Sequence, residues 1–177
     1  MRGRTKPGKT AALAAVWLVG FSSSADRAAA ADFTHVRSED AFVRELLRAG
    51  YERSLTFKAL VDEIESGQVI VYIDRVVTLS RGMEGALLHV AAGSSEIRFL
   101  RIVIKTSLAG DYAIGVLAHE LQHVVEVQRA RLTDGNSIAN MFAALDADLP
   151  ADAKFETPEA RAITERVVKE LRSNVRR

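Results

Sequence analysis

The chain predicts an α+β domain, with a short mixed or antiparallel sheet packed on one long helix and helical parts at both ends. Three observations predict it. Runs rich in β-branched residues, separated by glycines, fill the middle of the chain from Val69 to Thr106. A predominantly apolar stretch from Asp111 to Leu132 follows, too long for a strand. Capping residues open amphipathic segments before and after these elements.

The 177 residues, 48% hydrophobic and 27% charged, suit a single domain behind a leader. The leader is residues 1–31. A basic segment, MRGRTKPGKT, precedes the apolar run AALAAVWLVGF and the small-residue stretch SSSADRAAAA. That order is expected of a secretory signal, with cleavage near Ala30 or Ala31. The apolar run is too short for a bilayer, which takes about 20 residues, so no stable span is expected after cleavage. Five of the 24 basic and one of the 23 acidic side chains fall in residues 1–31, so residues 32–177 carry 19 bases against 22 acids, a net −3. A body of that charge has no general attraction for nucleic acid. The absence of cysteine excludes disulfides, thiolate zinc sites and a catalytic thiol.

The single domain spans residues 32–177. Ser38, followed by Glu39, Asp40 and the apolar set Ala41, Phe42, Leu46 and Leu47, predicts a capped helix ending at Gly50. Ser54 caps a second helix through Phe57, Leu60, Val61 and Ile64, ending at Gly67. The stretch from Asp32 to Arg53 is also a candidate to fill a cleft in a latent form. Three strands follow, VIVYIDRVV from Val69, ALLHVAAG from Ala86 and IRFLRIVIKT from Ile97. The long helix DYAIGVLAHELQHVVEVQRARL starts at Asp111, and two more helices are expected around NSIANMFAAL and PEARAITERVVKELRSNV. Thr157 as N-cap and Pro158 at the first helical position open the last of these.

The chemistry lies in HELQH. His119 and His123 are four residues apart, which places them about 40° apart on one helix face, one turn above the other. Two imidazoles so placed can reach one zinc ion at about 2 Å. Glu120 projects beside that position and can take a proton from water activated by the metal. The apolar neighbours Leu117, Leu121, Val124 and Val125 bury this polar site, and buried polar groups need partners.

GVLAHELQHVVEV resembles the active-site helix of the zincin metallopeptidases, and the strand-then-helix order resembles the same families. The resemblance implies a small zincin-like domain, zinc as cofactor and a peptide or protein substrate. It also implies that the strand before the helix lies at the sheet edge and pairs with extended substrate. Glu126 and Arg129 stand where an astacin-like continuation would have Gly and a third His. The arrangement is therefore similar to gluzincins, loosely like the minimal and membrane-associated kinds, with a downstream Glu as third ligand. Glu156 is the first candidate. Glu159 and Glu126 are alternatives, Glu159 doubling as an acid favouring the N-terminal helix dipole. Glu126, about 20° from His119 around the helix, also suits a role behind the metal, orienting a His or pairing with an Arg.

His89 and Tyr112 are further candidates to stabilise an oxyanion, against the plainer role of packing or surface residues. The expected activity is zinc-dependent hydrolysis of peptide bonds by an exported, periplasmic or secreted peptidase or amidase, with Glu120 as general base. The alternative is a non-catalytic zincin-shaped module of the cell envelope that binds zinc or has a structural role.

Overall fold

The computed structural model describes residues 33–80, 82–90, 97–132, 134, 136–138, 140–141 and 157–174, with the side chains of His89 and Val90 outside that description. The predicted leader and Glu156 lie outside the described residues, as does most of the NSIANMFAAL segment. Residues 136–138 and 140–141 of that segment are helical.

The fold is α+β. Strand β1 (Val36–Arg37) leads into helices α1 (Ala41–Arg53) and α2 (Leu55–Glu65). Strands β2 (Val69–Val76), β3 (Gly85–Val90) and β4 (Arg98–Lys105) follow, then helices α3 (Gly110–Arg129) and α4 (Pro158–Asn174). The four strands form one mixed sheet in the order β1-β2-β4-β3, in which only β3 runs antiparallel to its neighbour. Val69, Val71 and Ile73 of β2 and Leu100, Ile102 and Ile104 of β4 alternate along their strands onto the face that joins the helical core. The opposite face presents Tyr72, Arg101 and Leu88 to solvent.

Strand β4 corrects one expectation. IRFLRIVIKT was expected at the sheet edge, yet β4 is hydrogen-bonded on both sides, to β2 and to β3. Its physical mark is the run Ile102, Val103 and Ile104, all buried although consecutive side chains face opposite ways. Val103, on the face opposite Ile102 and Ile104, lies between neighbouring strands on both sides, as a residue of an inner strand does. The edge is β3.

The first helix departs from expectation at both ends. Asp40, not Ser38, caps α1, its carboxylate accepting from the N–H groups of Phe42 and Val43. The Ser38 hydroxyl instead donates to the carbonyl of Ile73 over 2.6 Å, tying the turn to β2. Gly50 does not stop the helix, which continues to Arg53. A Cβ there would lie 2.9 Å from three ring atoms of Phe57, so the glycine makes room for an aromatic ring. Residues 33–53 are not a detachable cleft plug, because Val36, Val43, Leu46 and Leu47 belong to the core. Ser54 caps α2 as expected, accepting from Phe57 N–H over 3.0 Å.

Helix α4 lies antiparallel along α3, and four contacts fix its register. Thr157 meets Glu126, Thr164 meets His119, Val168 packs over Gly115, and Arg53 bridges Asp111 to the carbonyl of Leu171. Gly115 permits the close approach: a Cβ there would fall 2.7 Å from a methyl of Val168.

Candidate metal centre

Helix α3 carries the paired histidines through the core with almost every neighbour buried. Leu117, Ala118, Leu121, Val124 and Val125 have no exposed surface, and His123 is 4% exposed. His119 is half-buried, so the pair opens to solvent on its side. The Nε2 atoms of His119 and His123 lie 3.1 Å apart, and the two rings meet at 82°. Two nitrogens bound to one tetrahedral zinc at about 2.05 Å each would be separated by about 3.3 Å. The spacing therefore fits a shared cation.

The other ring nitrogens are engaged. His123 Nδ1 lies 2.9 Å from Glu126 Oε2. Glu126 is a well-supported carboxylate: Thr157 Oγ1 donates to its Oε1 over 2.8 Å and Gln122 Nε2 over 3.1 Å. Burial pushes its carboxyl up, but the hydrogen bonds from His123, Thr157 and Gln122 outweigh that and hold it below the usual carboxylate range. An ionised carboxylate only accepts, so His123 Nδ1 carries a hydrogen towards Glu126. His119 Nδ1 lies 3.4 Å from Thr164 Oγ1, whose own hydrogen goes to the carbonyl of Ala160. That leaves the hydroxyl oxygen able to accept from an Nδ1–H of His119, the tautomer in which Nε2 would present a lone pair. At 3.1 Å one Nε2–H can donate to the other Nε2, and with both nitrogens deprotonated the pair would offer two lone pairs to one cation. Two imidazole nitrogens at this spacing are donors of the type and separation that zinc takes, and His119 and His123 are the residues that would hold it.

Glu126 sits behind His123, on the Nδ1 side rather than beside Nε2. Glu159 is exposed in the first turn of α4. Among the described residues no group of three His, Asp or Glu side chains is placed to hold a metal. Arg129, at the position of an astacin-like third His, instead makes a two-pronged ion pair with Glu63 of α2, both contacts at 2.7 Å.

Glu120 is 5% exposed and packs against the start of the edge strand, where a Cβ on Gly85 would lie 2.6 Å from its Oε1. Tyr112 is half exposed and its hydroxyl donates to Glu84. That bond raises the Tyr112 pKa, with burial adding to it. Gly85, Thr157 as a donor to Glu126, and Thr164 behind His119 are site residues that sequence reasoning passed over. A glycine opening a strand is a signal for close approach by another group and would have flagged Gly85.

The fold and site together define an α+β domain with a paired-histidine helix laid along its sheet. No family model, curated protein or solved structure matches the chain.

Proposed function

We propose that the protein is a zinc-dependent peptidase or amidase of the zincin type, exported to the periplasm or medium. The observation that carries this reading is the convergence of His119 and His123 Nε2 at 3.1 Å, with both Nδ1 atoms engaged behind them. Glu156 is the proposed third ligand. Supporting it, the next residue in the chain, Thr157, is bonded to the Glu126 carboxylate that orients His123. Bound zinc would supply Lewis-acid activation of water and of the scissile carbonyl. Glu126 and Thr164 hold the two imidazoles in the tautomer that presents Nε2. Glu120 accepts a proton on its carboxylate and passes it to the leaving amine, the neighbouring core keeping it out of bulk water.

A second reading, a zinc-binding module without turnover, draws on one observation: no third ligand joins the pair among the described residues. Glu120→Gln separates the two, because the amide keeps the shape and cannot take the proton. With zinc content unchanged, hydrolysis of a broad peptide library should fall at least about 100-fold. Absence of turnover in wild-type protein holding stoichiometric zinc would favour the module. Amino-terminal sequencing of the exported protein tests the leader, and a start near Ala31 or Asp32 is expected.

A further inference from the structure

The geometry points to Gly85 as the positioning residue for Glu120, a role that rests on the peptidase reading and concerns the placement of its general base. Gly85 is the first residue of the edge strand and pairs with Ile104 of β4. Its backbone does not require glycine, since the positive-φ glycines among the described residues are Gly82 and Gly110. What requires glycine is space. A Cβ at this position would lie 2.6 Å from Glu120 Oε1, 2.9 Å from Cγ and 3.0 Å from the carboxyl carbon. Three atoms of the outer half of the Glu120 side chain lie against that backbone unit.

The contact has a consequence for the base. Glu120 shares its helix with both zinc-ligand candidates, so its Cα is fixed relative to them, and only its side-chain torsions remain to be set. The bare strand start takes up the carboxylate and helps bring the side chain to 5% exposure. Any side chain at residue 85 has to displace Oε1, and Glu120 then moves relative to His119 and His123. The edge strand therefore places the base as well as closing the sheet.

The test is a double-mutant cycle with two readouts. Urea unfolding is followed on metal-free full-length protein for wild type, Gly85→Ala, Glu120→Ala and the double variant. Within a strand Gly→Ala ordinarily stabilises or is neutral. Gly85→Ala should lower the urea midpoint when Glu120 is present and leave it unchanged or raised in the Glu120→Ala background. An equal shift in both backgrounds overturns the proposal, because residue 85 would then be constrained by something other than Glu120. On zinc-loaded protein, Gly85→Ala should reduce kcat at least about tenfold with zinc content kept, since misplacement by about 1 Å can cost 100-fold. Unchanged kcat also overturns it. If no form turns over, the peptidase reading fails, and the stability cycle alone still decides whether Gly85 places Glu120.

Discussion

Thr157 Oγ1 donates to Glu126 Oε1 over 2.8 Å, joining the N-cap of α4 to the C-terminal part of α3. The same hydroxyl accepts from Ala160 N–H over 3.1 Å, so one side chain both caps α4 and holds the carboxylate behind His123. The helix cap and the support of the His123 side chain are thus one structure. Whatever loosens the start of α4 also loosens His123.

Zinc affinity should rank the three glutamates. Glu126 lies behind His123, so Glu126→Gln should weaken zinc binding by about 10–100-fold. Thr157→Val removes a donor to that carboxylate and should act in the same direction with smaller effect. Glu156→Gln should exceed both, and competition titration against a chromogenic chelator measures these three variants and Glu159→Gln. If Glu126→Gln or Glu159→Gln proves the most damaging, the third ligand moves to that residue.

Gly50→Ala should destabilise the protein, against helix propensity, which favours Ala over Gly by about 1 kcal/mol. The added methyl would press on the fully buried ring of Phe57, and overpacking of this kind costs about 1–3 kcal/mol. Equilibrium urea unfolding measures the net change, and a more stable Gly50→Ala would contradict the packing seen between α1 and α2.

Glu170 makes part of the stability depend on pH. From α4 its carboxylate accepts from Ser54 Oγ at 2.6 Å, Thr56 N–H at 3.0 Å and Thr56 Oγ1 at 2.7 Å, at the N-terminus of α2. Burial pushes its pKa up, but the hydrogen bonds to Ser54 and Thr56, aided by Arg166, bring it below the ordinary value. A carboxyl with a lowered folded pKa stabilises fully above its unfolded value, about 4.3, and loses that contribution as pH falls through the folded value. Glu170→Gln should therefore cost about 1–2 kcal/mol near pH 7, and the gap from wild type should narrow as the pH falls past the unfolded value and close as it passes the folded one. Urea titrations of both proteins across that range measure it, and a gap independent of pH would contradict the assignment.

The sequence made the larger elements legible where local chemistry decides them. Ser54 and Thr157 cap the helices they were expected to cap, because each hydroxyl finds an amide three residues on. β2 and β4 keep within a residue of their expected limits, and β3 opens one residue before Ala86, while the expected end of that run lies outside the described residues. Strand β1 was not legible. Two residues give no period, and Thr34, His35 and Val36 are held by backbone N–H groups donating to Glu65, about 30 residues away. Asp40 and Ser38 both qualify as caps by type, and only the reach of Ser38 to Ile73 decides between them. In the site, the i,i+4 spacing was enough to bring His119 and His123 together. The supports from α4 and β3 were not legible, because Thr164 and Gly85 lie 45 and 35 residues from the side chains they touch and depend on the packing register.

Zinc content tests the central claim most directly. Full-length protein reconstituted with zinc and freed of excess metal should hold about one zinc per chain, His123→Ala should hold far less, and a chelator should lower the Tm of wild type only, because metal bound to the folded state stabilises it by mass action. Less than about a tenth of an equivalent in wild type, with His123→Ala indistinguishable from it in metal content and Tm, would contradict the account.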